Sequence, residues 1–247
     1  MTYNYEHTPL YAKMEAALAA EISSSVRRPG SQLPSEDELT ERFSVSRATV
    51  RKAIERLVAR GLVEIRRGKG TFVAHPKITQ ELTQLTGFVE DMEALGRTPT
   101  ARVLDRRTVA ADTSVARQLA IPTGTLVMRI QRVRLADGVA MSFDETYLPR
   151  EIGEKVVTHD LDAEPIFSLL EGKYDLPLTE AEYRLEAITA TSDVAQALAI
   201  SSGSAIFLIE RTSYTAGHRP IDYEKLHYRG DLIKFVTRLA RRPRECS

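Results

Sequence analysis

The chain repeats itself once. VARQLAIPTGTLVMRIQR, beginning at Val115, and VAQALAISSGSAIFLIER, beginning at Val194, align at an offset of 79 residues on the pattern V-A-x-x-L-A-I-x-x-G-x-x-x-x-x-I-x-R. Each copy reads as a short helix, a glycine turn and a strand. Each strand runs into a turn, Asp137-Gly138 in the first copy and Gly217-His218-Arg219-Pro220 in the second, and then into a return strand. Two such units joined by a helix around Pro165 to Tyr174 fit one antiparallel sheet with pseudo-twofold related halves, and helices on one face are expected. Equivalent positions meet at the middle of such a sheet, and a ligand is expected there.

The strand Leu126 to Ala136 carries the sharpest local clue. Alternate side chains share a face, so Leu126, Met128, Ile130, Arg132 and Arg134 point one way and two arginines extend an apolar row. The second copy places Phe207, Ile209 and Arg211 in register with Met128, Ile130 and Arg132. A core-facing arginine is costly unless a carboxylate or a bound anion satisfies it. Asp144 and Glu224, equivalent on the two return strands once one extra turn residue is allowed, can pair with these arginines or hold ligand hydroxyls. Snorkelling of the arginines to water, or purely structural ion pairs, is the alternative.

Residues 31–73 form a second, unrelated pattern. Ser35 and Glu38 make a capping box that starts a helix with Leu39 and Phe43 on its apolar edge. Ser44-Val45-Ser46 interrupts it, and Ser46 caps a second helix on which Val50, Ala53, Ile54, Leu57 and Val58 recur at helical spacing until Gly61 stops it. Before them, Leu10, Met14, Leu18 and Ile22 predict an amphipathic helix over 10–24. Two short helices joined by a tight turn are a helix-turn-helix, whose second helix enters the DNA major groove. Between Arg42 and Gly70 the net charge is +7, although the whole chain sums to zero. Leu62 to Ile65 and Thr71 to Val73 read as strands around Arg66-Arg67-Gly68-Lys69-Gly70, a hairpin whose glycines let a basic backbone approach phosphates. Charge runs are usually just solvated faces. Here caps, turn, stop and hairpin agree independently on a winged helix-turn-helix.

These residues, LPSEDELTERFSVSRATVRKAIERLVARGLVEIRRGKGTFV, resemble the DNA-binding domain of the GntR family of bacterial repressors, and PLYAKMEAALAAEI at 9–22 resembles the helix that precedes it there. The resemblance implies a palindromic operator in double-stranded DNA, bound by a homodimer with one recognition helix per half-site. It assigns DNA contacts to Ser35, Ser46, Arg47, Ala48, Thr49 and Arg51, and to Arg67, Gly68, Lys69 and Gly70 at the wing tip. Asp37 departs from the pattern, since many relatives carry arginine there. LTGFVEDMEALGRTP, the arginine strand, DETYLP and the closing HYRGD are similar to the UTRA effector domain of the HutC subgroup, whose fold is like chorismate lyase. That resemblance implies a small, often anionic effector of the phosphosugar, carboxylate or amino-acid-derivative kind. Arg132 and Arg134 would take the anion, Phe88 and Val89 would offer a helix start, and Asp144, Glu224 and Tyr228 would read hydroxyls or amines. Pro165 and Phe167 stand where phosphosugar-binding relatives tend to have hydroxyl side chains.

The fold class expected is therefore α+β, with a winged helix-turn-helix domain over 1–75, a linker over 76–82 and an antiparallel-sheet α/β effector and dimerisation domain of UTRA type over 83–247. Leu82, Leu85, Phe88, Val89, Met92 and Leu95 are expected to line one helix ending at Gly96, and ARVLDRRTVAA to form a strand. A single cysteine, Cys246, leaves no internal disulfide. No apolar run approaches the roughly 20 residues that span a bilayer, so no membrane partner and a cytoplasmic location are expected. His7, His75, His159, His218 and His227 show no metal-ligand spacing. Gly68-Lys69-Gly70 is too short for a phosphate-binding P-loop, and Ser31 lacks a nucleophile elbow. No metal, no cofactor and no catalytic residue are expected, which ranks a chorismate-lyase-like enzyme with incidental DNA binding below an effector-controlled regulator.

Overall fold

The computed structural model describes residues 8–24, 26–66, 68–75 and 77–240. Arg67, Pro76, His7 and Cys246 lie outside the described residues. The chain divides into two compact units, Met1–Lys77 and Ile78–Ser247.

In the first unit, α1 (Leu10–Ser23), α2 (Glu36–Phe43) and α3 (Arg47–Ala59) precede a hairpin of β1 (Val63–Arg66) and β2 (Gly70–Val73). The caps fall where the sequence puts them. Ser35 Oγ accepts from the Glu38 N–H (3.3 Å) while Glu38 accepts from the Ser35 N–H (2.7 Å), so two otherwise orphaned donors are satisfied. Ser44 ends α2 in the left-handed region, and the Thr49 N–H donates to Ser46 Oγ (3.2 Å) to open α3. Met14, Leu18, Leu39, Val50, Ile54, Leu57, Val63 and Val73 form one closed core. Leu10 and Val58, expected on apolar faces, are exposed.

The second unit is built on a six-stranded antiparallel sheet of order β4-β5-β6-β9-β8-β7. Its strands are β4 (Pro99–Ala110), β5 (Leu126–Ala136), β6 (Val139–Pro149), β7 (Glu180–Thr189), β8 (Ala205–Thr215) and β9 (Arg219–Arg229). The halves β4-β5-β6 and β7-β8-β9 are the two copies of the repeat. They meet at β6 and β9, where the equivalent residues Glu145 and Lys225 face each other directly. Asp137 and Gly138 both take positive φ, as the two-residue hairpin joining β5 to β6 requires.

Helices cover both faces of this sheet rather than one. On one face α5 (Thr113–Gln118) packs on Val127, Tyr147 and Tyr223, and α8 (Ser192–Leu198) packs on Val133, Phe143 and Ile206. On the other, α6 (Arg150–Val156) and α7 (Ile166–Tyr174) pack on Met128, Ile130 and Leu148, while α4 (Phe88–Ala94) packs on Ile209 and Leu226. The central strands carry apolar side chains at both odd and even positions, and each face needs its own cover. Gly153 lets α6 sit this close, because a Cβ there would fall 2.1 Å from Met128 Cβ.

Residues 78–82, expected within the linker, begin with a strand. Here β3 (Ile78–Glu81) pairs in parallel with β10 (Ile233–Val236). The helix expected from Leu82 is also shorter, starting at Phe88, because the Leu82 N–H donates to the Val236 carbonyl and Thr86 and Gln80 turn their side chains onto Asp91.

Candidate DNA interface and effector pocket

On the first unit, the exposed side chains at the start of α3 are Arg47, Ala48, Arg51 and Lys52, with Thr49 half-buried beside them. Neither arginine is idle. Arg47 lies 2.8 Å from Asp37 and Arg51 lies 3.0 Å from Glu36, so the acidic first turn of α2 holds both guanidinium groups. All four side chains are well exposed, and such pairs yield to phosphate or base edges at little cost. Ser46 Oγ lies 2.9 Å from Thr49 Oγ1, and Ser35 spends its hydroxyl on the α2 cap.

Three basic residues of the stretch serve the fold instead. Arg56 and Arg60 reach the buried Glu15 of α1 at 2.5 and 2.9 Å, and those hydrogen bonds hold its carboxyl below the usual range. Arg42 pairs with Glu21. The cations left for a polyanion therefore gather at the N-terminal end of α3 and at the wing. At the wing Gly68, Lys69 and Gly70 are exposed, and the Gln32 amide donates to the Lys69 carbonyl at 3.0 Å. Gly70 has φ +114°, a backbone conformation that strains any residue with a Cβ, so glycine is favoured at this tip. Lys52, not singled out from the sequence, sits with its Nζ 4.2 Å from the centre of the Tyr11 ring.

In the second unit, Arg132 and Arg134 line a cavity of about 220 Å³ together with Val89 and Glu93 of α4, Thr98 to Ala101 at the start of β4 and residues 161–165. Arg134 Nε donates to Asp144 Oδ2 at 2.5 Å and stands 5.5 Å over the Phe88 ring. Ser142 donates to the other Asp144 oxygen at 2.7 Å. Arg132 is 1% exposed, yet its Nε and Nη2 have no hydrogen-bond partner. Burial, with Arg134 adding to it, pulls its pKa from 12.5 to about 9 against the opposing pull of Asp144 and Glu224.

The other expected effector residues are engaged elsewhere. Glu224 is bound by Arg211 and accepts from Thr146 Oγ1 at 2.9 Å, which keeps it ionised although burial opposes this. Asp144 and Glu224 thus hold arginines rather than line the cavity. Tyr228 is packed among Leu226, Phe235 and Ile233 in the core. The Gly87 N–H is satisfied by the Glu90 side chain at 3.2 Å. Phe88 lies under Arg134, and only Val89 of that helix start reaches the cavity wall. Arg211, flagged by register but not assigned to the site, stacks 4.3 Å over Phe167. Among the described residues no cluster of His, Cys, Asp and Glu is arranged to hold a metal ion.

Comparison with known proteins agrees with both halves. Residues 10–73 match the model of the bacterial regulatory proteins of the gntR family, and residues 94–234 match the UTRA domain. The chain belongs to the GntR family, in its UTRA-bearing branch. It is 35% identical over 229 residues to the HTH-type transcriptional repressor NagR of Bacillus subtilis (strain 168), covering 92% of this chain and 93% of that one. It is 27% identical over 232 residues to the probable fructoselysine utilization operon transcriptional repressor of Escherichia coli (strain K12), covering 94% and 95%. The crystal structure of PhnF from Mycobacterium smegmatis superposes with a TM-score of 0.65 at 27% identity, covering 93% of this chain and all of that one. This GntR-family chain is a DNA-binding transcriptional regulator with an effector-binding domain, and not an enzyme. No helix among the described residues is long and apolar enough to cross a membrane.

Proposed function

We propose that this regulator is a cytoplasmic repressor that binds a palindromic operator as a homodimer and changes its grip when a small anion occupies the cavity at Arg132 and Arg134. Its family, and relatives named as repressors, support the first part. In this reading Ser46, Arg47, Ala48, Thr49 and Arg51 meet the major groove, and Arg67 to Gly70 follow the phosphates from the wing. Ser35 caps α2, whose Glu36 and Asp37 hold the two arginines until DNA displaces them.

The observation that carries the second part is Arg132. A buried guanidinium without a partner costs the fold several kcal/mol, and an anion bound beside Arg134 recovers it. Arg134 and Asp144 neutralise one another, so the ligand's negative group falls to Arg132. Control follows if the anion favours one of two arrangements of the DNA-binding units, and such coupling typically amounts to about 1 to 3 kcal/mol.

A thermal-shift screen of phosphosugars, carboxylates and amino-acid derivatives on the full chain tests this directly. Anionic compounds should raise the melting temperature of the wild type and fail with Arg132→Gln. Hits that act equally on both proteins would remove Arg132 from the site.

A further inference from the structure

The residues lining the Arg132 cavity carry both signs of charge. Arg132, unpaired, and Arg134, neutralised by Asp144, are buried. The lining also includes three acidic residues, Glu93, Asp162 and Glu164. Glu164 is held by Lys173 at 2.9 Å, which keeps it below the usual carboxylate range. The other two are not neutralised. Asp162 Oδ1 accepts the Val103 N–H at 2.6 Å, but no cation pairs with Asp162 or Glu93 among the described residues. Both residues are exposed, whereas Arg132 is fully buried.

From this we infer that the ligand is a zwitterion, an anion carrying a protonated amine, with its negative group on Arg132 and its ammonium group at Glu93 and Asp162. The inference rests on the reading of the cavity as the effector site and narrows the class of molecule it takes. A simple anion in the same cavity satisfies Arg132 but leaves two carboxylates of the lining unpaired, and a like charge that comes within roughly 4 Å of a bound anion costs about fivefold in affinity even at the water dielectric. An ammonium group at that position turns the same two carboxylates into partners, and hydrogen bonds between charged groups are the stronger kind. A compact ammonium is matched better than a guanidinium, since the two carboxylates come from different elements, α4 and the loop before α7, and offer no single planar fork.

The test uses full-length protein and matched ligand pairs that differ only in amine against hydroxyl. One pair is 2-aminoethyl phosphate and 2-hydroxyethyl phosphate, the other β-alanine and 3-hydroxypropanoate, with inorganic phosphate as the reference anion. Affinities are measured by calorimetric titration of the wild type, Glu93→Gln, Asp162→Asn and the double variant. Asn keeps an oxygen for the Val103 N–H, and Glu93 is on the surface, so at least one single variant retains the fold. The amine member should bind about fivefold or more tightly than its hydroxyl partner in at least one pair, and the ratio should fall toward one in the variants. Equal affinities, or a preference for the hydroxyl member, would overturn the inference while leaving the anion site standing. If neither inorganic phosphate nor any member of either pair binds the wild type, the anion site itself falls and the inference with it.

Discussion

Replacing Arg132 by methionine should make the protein more stable and deaf to its effector. The drop in the Arg132 pKa from 12.5 to about 9 corresponds to about 5 kcal/mol held against the charged form, at 1.36 kcal/mol per decade. Arginine stays protonated near neutral pH, so at pH 7 that cost lies entirely on the folded state. Methionine removes the charge and keeps most of the volume. It orphans no carboxylate, because Asp144 retains Arg134 and Glu224 retains Arg211. Replacing buried charges with apolar side chains of similar volume often recovers about 1 to 4 kcal/mol. With about 2 to 4 °C per kcal/mol for a domain of 150 to 250 residues, an intermediate gain of about 2 kcal/mol raises the melting temperature by about 4 to 8 °C. Differential scanning fluorimetry without ligand measures the gain, and the same scan with a compound that stabilises the wild type measures the lost response. A variant that melts lower than the wild type would refute the claim that Arg132 is strained by its burial. One that still responds would refute its role as the anion's partner.

Three more perturbations separate the remaining parts. Lys69→Ala at the wing should reduce the slope of log affinity against log salt by about 0.9, the value for one lost phosphate contact, and an unchanged slope in fluorescence anisotropy would take Lys69 off the DNA. Asp37→Asn frees Arg47 from its 2.8 Å partner and should tighten binding to random duplex by about fivefold, as expected for removing one like charge near phosphate; weaker binding to random duplex would mean that Asp37 helps to place Arg47. Asp222 is fully buried and its pKa is pushed up to about 7, first by burial and then by Glu224. The folded state therefore holds a proton that the unfolded state has released above the ordinary value of 3.8, so stability falls as pH rises toward 7 and levels off beyond it. Asp222→Asn should flatten that fall in denaturant titrations between pH 4 and 8, and an unaltered pH profile would show that Asp222 titrates normally.

What could be read from the chain was what depends on near neighbours. The Ser35–Glu38 box and the Ser46 cap each need only three residues of context, and both helices begin where those residues place them. The 79-residue offset carried the sheet and its symmetry, because it fixes which strands are equivalent and leaves few ways to join them. Pairings between distant segments were not legible. Nothing in Ile78–Glu81 signals a parallel partner at Ile233–Val236, more than 150 residues away. The second helical layer leaves no mark in the sequence, because a strand buried on both sides shows no simple alternation. At the site, Arg132 and Arg134 stood out as cations in an apolar row. For Asp144 and Glu224 the sequence does not decide between arginine and ligand as partner, because that depends on the reach of Arg134 and Arg211. Glu93 and Asp162 had no signal at all, since an acid on a short helix or a loop is ordinary until a cavity is found beside it.

One titration decides whether the start of α3 reads DNA selectively. Duplexes selected by the wild-type protein from a random pool are labelled and titrated by fluorescence anisotropy against unselected duplex of equal length, for the wild type and for Arg47→Ala. The wild type should prefer the selected duplex by about a thousandfold or more. Arg47→Ala should lose about 1 to 3 kcal/mol on the selected duplex, the range for a bidentate base contact, with its melting temperature unchanged. Equal binding of the two duplexes by the wild type, or full selectivity in Arg47→Ala, would mean that the start of α3 does not read base edges.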